Sequence, residues 1–338
     1  MSTIREIARL AGISRGTVDR VINKRGRVHP ETEKKIQNII HKMDFQRNSH
    51  ARALSMQKKK FSIAYIYHIS EINPFFDDIV AGINAKVSEL HHYSVRLGIR
   101  PVKLNDTELF LQALNETQEK KVDGIIMTPF KAPEITKKIN ELVDKGFPVV
   151  TCNIDNADSK RIAFAGCNLY KSGFTAGGLM GISVGGQAQI GIITSCIHYE
   201  RLRGFKDAIA KNYPDIHIVD TAEAEEDNDK TLYQTKIMME KNPFIQAIYA
   251  ETVAVPGICQ ALMDLGVYKK VKVICFDDMP IIRNLMMEGY ISAVVIQNPF
   301  WQGYRSFEML WDYILNRRLP EDIINYSNTE ILIRESLE

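Results

Sequence analysis

From Phe61 onward, short apolar runs alternate with segments that have helical periodicity. Alternation of this kind predicts parallel sheets that are covered by helices on both faces. Because ten strands in about 278 residues exceed one ordinary sheet, two doubly wound lobes are favoured over a single large sheet. The ten predicted strands are FSIAYIY, YSVRLGI, GIIMT, PVVTCN, IAFAG, QIGIIT, IHIVD, AIYAE, VKVICF and ISAVVIQ.

The composition is typical of a folded globular protein. Of the 338 residues, 45% are hydrophobic and 25% are charged, a balance that excludes intrinsic disorder and collagen-like repeats. No apolar run approaches the roughly 20 residues of a membrane helix, and MSTIREIARL lacks the apolar core of a signal peptide. We therefore expect a cytoplasmic, nucleoid-associated protein with no membrane partner.

Charge is distributed unevenly along the chain. Residues 1–60 contain 15 Lys and Arg against 5 Asp and Glu, whereas residues 61–338 contain 28 against 36. A basic segment beside an acidic body is typical of proteins that bind a polyanion, because each neutralised phosphate releases counterions. A merely solvated basic surface would have the same charge, so the residue pattern inside the segment must decide.

The basic segment has the pattern of three short helices. Thr3 caps a first helix that ends at Gly12, and Ser14 caps a second helix over Arg15 to Ile22. Pro30 occupies a first-turn position of the third helix. The first two helices match the helix-turn-helix arrangement. Apolar positions at helical spacing predict one small core, made by Ile4, Ile7, Ala8, Ala11, Ile13, Val18, Val21, Ile22, Ile36, Ile39, Ile40 and Met43.

This segment resembles the DNA-binding head of the LacI/GalR family over about 55 residues. The stretch TIREIARLAGISRGTVDRVIN keeps the family pattern, except that Asp19 replaces the usual serine. The resemblance implies that the second helix enters the major groove, with Arg15, Gly16 and Arg20 at base edges and with Ser14 and Thr17 at phosphates. Because a phosphate would repel the carboxylate of Asp19, that side chain must pair with Arg15 or accept from a cytosine amine.

The segment from Arg47 to Ser55 resembles the hinge helix of the same family. The resemblance implies that Leu54 wedges between base pairs from the minor groove and kinks the operator. Arg47 stands where the family often has proline, and the lysines at 58–60 form an exposed junction. The predicted DNA-binding residues are Thr3, Ser14, Arg15, Gly16, Thr17, Asp19, Arg20, Asn23, Arg52 and Leu54.

Polar residues follow several of the predicted strands in the body. Parallel sheets bind ligands outside the carboxyl ends of their strands, so these residues form a candidate binding site. Carboxamides, carboxylates and an arginine can each bond to adjacent ring hydroxyls, and phenylalanine can stack on the apolar face of a sugar. The polar runs are NPFF at 73–76, NIDN at 153–156, YER at 199–201, ET at 251–252, FDD at 276–278 and QN at 297–298.

The body, over about residues 61–335, resembles periplasmic sugar-binding proteins of the ribose-binding type, the fold that the LacI/GalR family carries behind its head. The NPFF, ERLRGF and CFD runs and a late glutamine occur in the family order. The resemblance implies that the phenylalanines cover a sugar while the polar members bind its hydroxyls. The predicted effector-binding residues are Asn73, Phe75, Phe76, Asp155, Asn156, Arg201, Glu251, Asp277 and Gln297.

Two departures from the ribose-type pattern bear on the effector. Asn156 stands where those proteins have a second arginine, and Glu251-Thr252 stands where they have Asn-Asp. The predicted site then holds three carboxylates against one arginine, a charge of about −2 before any pKa shift. A buried anion would lack compensation there, so we expect a neutral or amine-bearing effector, most simply a monosaccharide or a derivative of one.

Other functions fit parts of the sequence. Phe75 and Phe76 would stack on a nucleobase or nucleoside as readily as on a sugar. The body alone would suit a transport-type sugar-binding protein without a DNA-linked output. An enzyme is not expected, because no set of nucleophile, base and orienting group is visible and HExxH is absent. The five cysteines form no CxxC pair, and neither a metal nor a cofactor is expected.

The sequence thus predicts an all-α helix-turn-helix head joined to an α/β body of two doubly wound parallel-sheet lobes, the periplasmic binding protein-like type I fold. We expect a homodimeric regulator, most simply a repressor, that binds a palindromic double-stranded operator. No leucine heptad follows ILIRE, so no tetramer-forming tail is expected. The expected bounds are 1–46 for the head, 47–60 for the hinge helix and linker, 61–338 for the effector-binding and dimerisation domain, about 61–160 plus 292–320 for the first lobe, and about 161–291 plus 321–338 for the second.

Overall fold

The structure is a computed structural model that describes residues 4–22, 28–42, 59–69, 74–103, 106–195 and 199–337. The chain divides into two compact units, one of residues 1–60 with 92–94 and one of residues 61–91 with 95–338. We call the helical part of the first unit the head and the second unit the body. Among the helices in the described ranges, none is both long enough and apolar enough to cross a membrane.

The head contains three helices, α1 (Ile4–Ala11), α2 (Arg15–Ile22) and α3 (Pro30–Lys42). Gly12 ends α1 with a φ of 66°, a left-handed conformation that a residue without a β-carbon adopts readily. Ser14 Oγ accepts a hydrogen bond from the backbone N–H of Thr17 at 3.1 Å, so the predicted N-cap of α2 is present.

One small hydrophobic core holds these three helices together, as the apolar spacing predicts. Ile13 and Ile22 pack against this core from the turn and from the end of α2, and Ile39 and Ile40 do so from α3. Met43 lies outside the described residues. The fully buried members are Ile7, Ala8, Ala11, Val18, Val21 and Ile36.

The first lobe of the body is a six-stranded sheet. Its strand order is β11-β5-β4-β3-β1-β2, with parallel pairing from β11 through β1. The strands are β1 (Lys60–Ile69), β2 (Ser94–Lys103), β3 (Gly124–Met127), β4 (Val149–Asn153), β5 (Ala163–Gly166) and β11 (Ile324–Tyr326). The covering helices are α4 (Phe75–Glu89), α5 (Thr107–Glu119), α6 (Pro133–Asp144) and α12 (Pro299–Asn316).

The second lobe is a second six-stranded sheet, with the order β12-β10-β9-β8-β6-β7. The strands β10, β9, β8, β6 and β7 pair in parallel, and β12 pairs antiparallel with β10. The strands are β6 (Ala188–Thr194), β7 (Ile216–Glu223), β8 (Ile245–Glu251), β9 (Lys272–Phe276), β10 (Ala293–Ile296) and β12 (Glu330–Leu332). The helices are α7 (Leu169–Ser183), α8 (Tyr199–Asn212), α9 (Asn228–Lys241), α10 (Val255–Asp264) and α11 (Pro280–Met287), followed by a 3₁₀ turn over Arg334–Ser336.

The central strands of both sheets are buried on their two faces, which explains their continuous apolar runs in the sequence. In the second lobe, Ile248 of β8 packs beneath α9 and α10, whereas Tyr249 packs on the opposite face against α7 and α8. In the first lobe, Ile66 and Met127 pack with Phe110 of α5. The two lobes therefore have separate cores, and the predicted fold class is confirmed.

The chain crosses between the lobes three times, and the crossings differ from the predicted ones. They lie between β5 and α7, between β10 and α12, and between β11 and β12. The predicted bounds would have put β5 and β11 in the second lobe and β10 in the first, which the sheet order corrects. Sheet membership depends on long-range pairing, such as that of Phe164 with Ile324, which no local pattern reveals.

Candidate functional site

The helix α2 presents a polar surface to solvent. Arg15, Gly16, Asp19 and Arg20 are exposed, and Thr17 is half-buried, while the apolar side of the same helix faces the core of the head. Arg20 Nε donates to the carbonyl oxygen of Gly16 at 3.3 Å, so the guanidinium lies along the helix surface. The predicted DNA-contacting residues Thr3, Asn23, Arg52 and Leu54 lie outside the described residues.

Arg201 is the central cation of the second lobe. It lies in the first turn of α8, and its side chain is only 4% exposed. Its Nη1 is 3.7 Å from Glu251 Oε1, and its guanidinium carbon is 4.1 Å from the centroid of the Phe276 ring. The aromatic face and the carboxylate together stabilise the buried positive charge.

Two buried acidic side chains of this lobe, Glu251 and Asp277, each accept a hydrogen bond from a polar neighbour. Thr194 Oγ1 donates to Glu251 Oε2 at 2.6 Å, and Gln297 Nε2 donates to Asp277 Oδ1 at the same distance. Burial raises the pKa of Glu251 and of Asp277, and in both cases the charge of Arg201 opposes that rise. Asp277 directly follows β9 and has a φ of 68°, a left-handed conformation that is uncommon in residues other than glycine and is often found at functional positions.

Two donors of Arg201 have no partner in the part of the chain that the structure describes. Nε and Nη2 are buried and make no hydrogen bond there, and the hydroxyl of the neighbouring Tyr249 is in the same state. Nε and Nη2 form one side of the guanidinium fork, whose parallel N–H groups match two adjacent acceptor oxygens. A buried donor without an acceptor is costly, so this edge is suited to receive a ligand.

The first lobe contributes aromatic side chains to the site. Phe75 and Phe76 open α4 and are both buried, and their rings meet edge-on at 5.6 Å. Phe76 also lies 5.3 Å from Tyr67 and 5.2 Å from His68 at the carboxyl end of β1. The burial of His68 lowers its pKa to about 4, so the ring is neutral at pH 7. Asn73 lies outside the described ranges.

Asp155, a predicted effector-binding residue, has an arginine partner within the first lobe. It forms a bidentate ion pair with Arg161, in which Arg161 Nη2 donates to Oδ2 at 2.5 Å and Nε donates to Oδ1. Thr151 Oγ1 donates to the same Oδ1 at 2.8 Å. Arg161 is 5% exposed and Asp155 21%, so the pair is largely buried. Three carboxylates therefore face two arginines, which corrects the predicted charge balance.

Four of the predicted residues, Asp155, Asn156, Phe75 and Asp277, line two cavities. A cavity of about 790 Å³ contains Asp155 and Asn156 of the first lobe and extends to Tyr170 and Glu200 of the second. A cavity of about 470 Å³ contains Phe75 of the first lobe and Asp277 of the second. Asn156 is held in the larger cavity by hydrogen bonds with Thr136 of 3.0 and 3.1 Å. Both cavities lie between the lobes.

Asn153 was not in the predicted set, although it lines the larger cavity. It is the last residue of β4, has a φ of 64°, and donates through Nδ2 to Gln302 Oε1 at 3.2 Å. The sequence could have identified Asn153, because it stands at the end of a predicted strand and asparagine tolerates the left-handed region. Arg161 was also missed, because its role depends on a turn that brings it back to Asp155.

Metal-binding side chains are not grouped in the described ranges: no three His, Cys, Asp or Glu residues there could hold an ion together. The cysteines at 152, 167, 259 and 275 are buried free thiols. Asn153 lines the larger cavity and Asp277 the smaller one, while the guanidinium of Arg201 lies over the Phe276 ring.

Two family models match the chain, one for each unit. Residues 63–318 match the periplasmic binding protein domain, and residues 3–48 match the lacI family of bacterial regulatory proteins. The glucose-galactose binding protein GanP from Geobacillus stearothermophilus is similar in structure, with a TM-score of 0.75, 26% identity, and coverage of 83% of this chain and 99% of GanP.

Similar curated proteins span nearly the whole length of this chain. The ribose operon repressor of Halalkalibacterium halodurans is 27% identical, over 99% of this chain and 97% of the repressor. The transcriptional repressor PurR of Edwardsiella ictaluri is 26% identical, over 94% of this chain and 92% of its own length. The chain belongs to the periplasmic binding protein domain family, and it carries that domain behind a head of the lacI family of bacterial regulatory proteins.

Proposed function

We propose that this protein is a transcriptional regulator that binds operator DNA through its head and senses a small neutral sugar between the lobes of its body. The observation that carries the sugar site is the buried donor edge of Arg201, which lies beside the carboxylates of Glu251 and Asp277. The similarity to the ribose operon repressor and to the glucose-galactose binding protein supports a sugar as the effector.

The chemistry of the site favours hydroxyl groups over charged groups. Arg201 donates in pairs, and Asp277 and Glu251 accept, so adjacent hydroxyls that act both as donors and as acceptors satisfy both sides. The pKa values of both acids are already raised by burial, and an anionic ligand would add a further uncompensated charge. Phe75 provides an apolar surface on the opposite lobe.

Binding of the sugar is coupled to DNA through movement of the lobes. A ligand that contacts both lobes favours their closed arrangement, and a dimer transmits the change to its two heads, which occupy the half-sites of a palindromic operator. Such coupling is typically worth about 1 to 3 kcal/mol and acts equally in both directions. Repression is the output that the similarity to named repressors supports.

A thermal-shift panel on the whole protein tests the sugar site. The probes are D-ribose, D-galactose, D-arabinose, D-glucosamine, D-ribose 5-phosphate and adenosine, because a ligand at about 100 times its Kd stabilises by about 2.7 kcal/mol. We expect stabilisation by a neutral sugar or by the aminosugar, and its loss in Arg201→Ala. The matched control is Lys211→Ala, which removes an exposed cation from the last turn of the same helix. Stabilisation by the phosphosugar alone would overturn the proposed site, and stabilisation by adenosine alone would make the effector a nucleoside.

The DNA function is tested with the same preparation. Selection from a random-sequence duplex library should return a near-palindromic site with two half-sites, and the active sugar should change its affinity by about 5- to 150-fold. Recovery of a single half-site, or of no preferred sequence, would contradict a dimeric operator-binding protein.

A further inference from the structure

The helices α7 and α8 pack with their backbones in direct contact. A β-carbon on Gly173 of α7 would lie 1.9 Å from the carbonyl oxygen of Arg201, and one on Gly204 of α8 would lie 2.1 Å from the carbonyl oxygen of Tyr170. Both distances are far below a van der Waals contact, so only glycine permits this approach at either position. The two contacts are reciprocal, since each helix supplies one glycine and one carbonyl.

The contact at Gly173 is made with the backbone of Arg201. The backbone of Arg201 touches α7, while its side chain extends over the Phe276 ring and reaches Glu251. A buried, rigidly placed guanidinium loses its geometry if its own Cα moves, because its packed neighbours leave it no room for an alternative rotamer.

The start of α7 is fixed independently. Asn168 follows the first crossing between the lobes, and its side-chain oxygen accepts a hydrogen bond from the backbone N–H of Lys171 at 2.9 Å. This cap sets the first turn of α7, and Gly173 lies on the next turn. The position of Arg201 is therefore tied through α7 to the place where the chain enters the second lobe.

We propose that Gly173 is a positioning residue that places the guanidinium of Arg201 over Phe276, in the geometry needed to bind the effector. The part of this inference that concerns the effector rests on the proposed function. The placement of Arg201 does not, so it is tested by a measurement on the free protein.

Two other glycines of α7 provide matched controls. A β-carbon on Gly177 would lie 2.6 Å from the Ala208 β-carbon and 2.9 Å from the Phe205 carbonyl oxygen, so it disturbs the same pair of helices one turn further from Arg201. A β-carbon on Gly178 meets nothing within 4 Å. Gly177→Ala therefore controls for a general loss of packing between the two helices, and Gly178→Ala controls for the change in helix propensity.

The test is the NMR signal of Arg201 Nε–H in the full chain labelled with ¹⁵N-arginine, assigned by its disappearance in Arg201→Lys. The face of Phe276 shifts this proton upfield, and Phe276→Leu should abolish that shift. We expect Gly173→Ala to move the signal to the position seen in Phe276→Leu, while Gly177→Ala and Gly178→Ala leave it in place. An unchanged signal in Gly173→Ala, or an equal change in Gly177→Ala, would overturn the proposal.

A milder variant covers the case in which Gly173→Ala does not fold. Asn168→Ala removes the cap of α7 and loosens its first turn without introducing a clash. The Nε–H signal should then broaden or move part of the way, and an unchanged signal in this variant also counts against the positioning role. An unchanged sugar response in Arg201→Ala would contradict the proposed function alone, whereas an unchanged Nε–H signal in Gly173→Ala would contradict the positioning role alone.

Discussion

Gln297 Nε2 donates a hydrogen bond of 2.6 Å to Asp277 Oδ1 at the carboxyl edge of the second sheet. Gln297 is itself held in place, because its backbone carbonyl oxygen accepts hydrogen bonds from Gln302 Nε2 at 2.9 Å and from Ser327 Oγ at 2.7 Å. Gln302 and Ser327 lie on or beside the segments that cross between the lobes. The acidic group of the site is thus oriented by contacts from the crossings.

Asp277→Asn should make the folded protein more stable at pH 7 and impair its response to sugar. Burial raises the pKa of Asp277 above its unfolded value, so the contribution of this carboxyl to stability is present at low pH and is lost as the pH rises through the folded pKa. Asparagine removes that loss, and it also tolerates the φ of 68°.

Urea unfolding between about pH 4 and pH 7 checks this prediction, because stability should depend less on pH in the variant than in the parent protein. The sugar that stabilises the parent protein should stabilise the variant less. If the variant is less stable than the parent protein at neutral pH, the contacts of the Asp277 carboxylate contribute more free energy to folding than its burial costs.

Arg161→Ala should destabilise the first lobe by roughly 2 to 3 kcal/mol. The substitution leaves the carboxylate of Asp155 largely buried without its ion partner, and breaking a fully buried pair costs about 3 to 5 kcal/mol. The estimate is lower here because Asp155 is 21% exposed and retains the hydrogen bond from Thr151.

The adjacent Lys160→Ala is the control for Arg161→Ala. Lys160 lies 2.7 Å from Asp144, but both side chains are more than half exposed, so its removal should cost about 0 to 1 kcal/mol. The shift of the urea midpoint at constant slope measures both variants. Equal losses would show that the Asp155 pair contributes no more than a surface pair.

Arg20→Ala should relax the base preference at one position in each operator half-site. Arg20 is exposed on the face of α2 opposite the core, and an arginine that reads guanine contributes about 1 to 3 kcal/mol of discrimination. Selection from a random duplex library, repeated with the variant, measures the preference position by position. Lys34→Ala on α3 is the control, and a uniform loss of affinity across all sequences would make Arg20 a phosphate contact instead.

The head and the ten body strands could be predicted because their signals are local. Ser14, Gly12 and Pro30 mark helix ends through the chemistry of single residues, and the structure places α2 and α3 where those signals lie. The central body strands are buried on both faces, so each of them is a dense apolar run that stands out against its neighbours.

The features that the sequence did not reveal depend on distant partners. The strand β11 is three residues long and partly exposed, and it becomes a strand because β5 is available to pair with it. The ion pair of Asp155 with Arg161 could not be predicted, because it depends on the turn that brings Arg161 back to this carboxylate. The predicted lobe bounds were wrong because lobe membership depends on pairings such as that of β11 with β5.

The pairing of β11 with β5 also constrains how this protein is made. Phe164 and its partner Ile324 are about 160 residues apart, and strands β6 to β10 of the second lobe lie between them in the chain. During synthesis the ribosome therefore releases most of the second lobe before the first can complete its sheet, and the buried strand β5 keeps an open edge in the meantime. An unpaired apolar edge favours association with other chains, so the nascent protein depends on chaperones more than its two compact lobes would suggest.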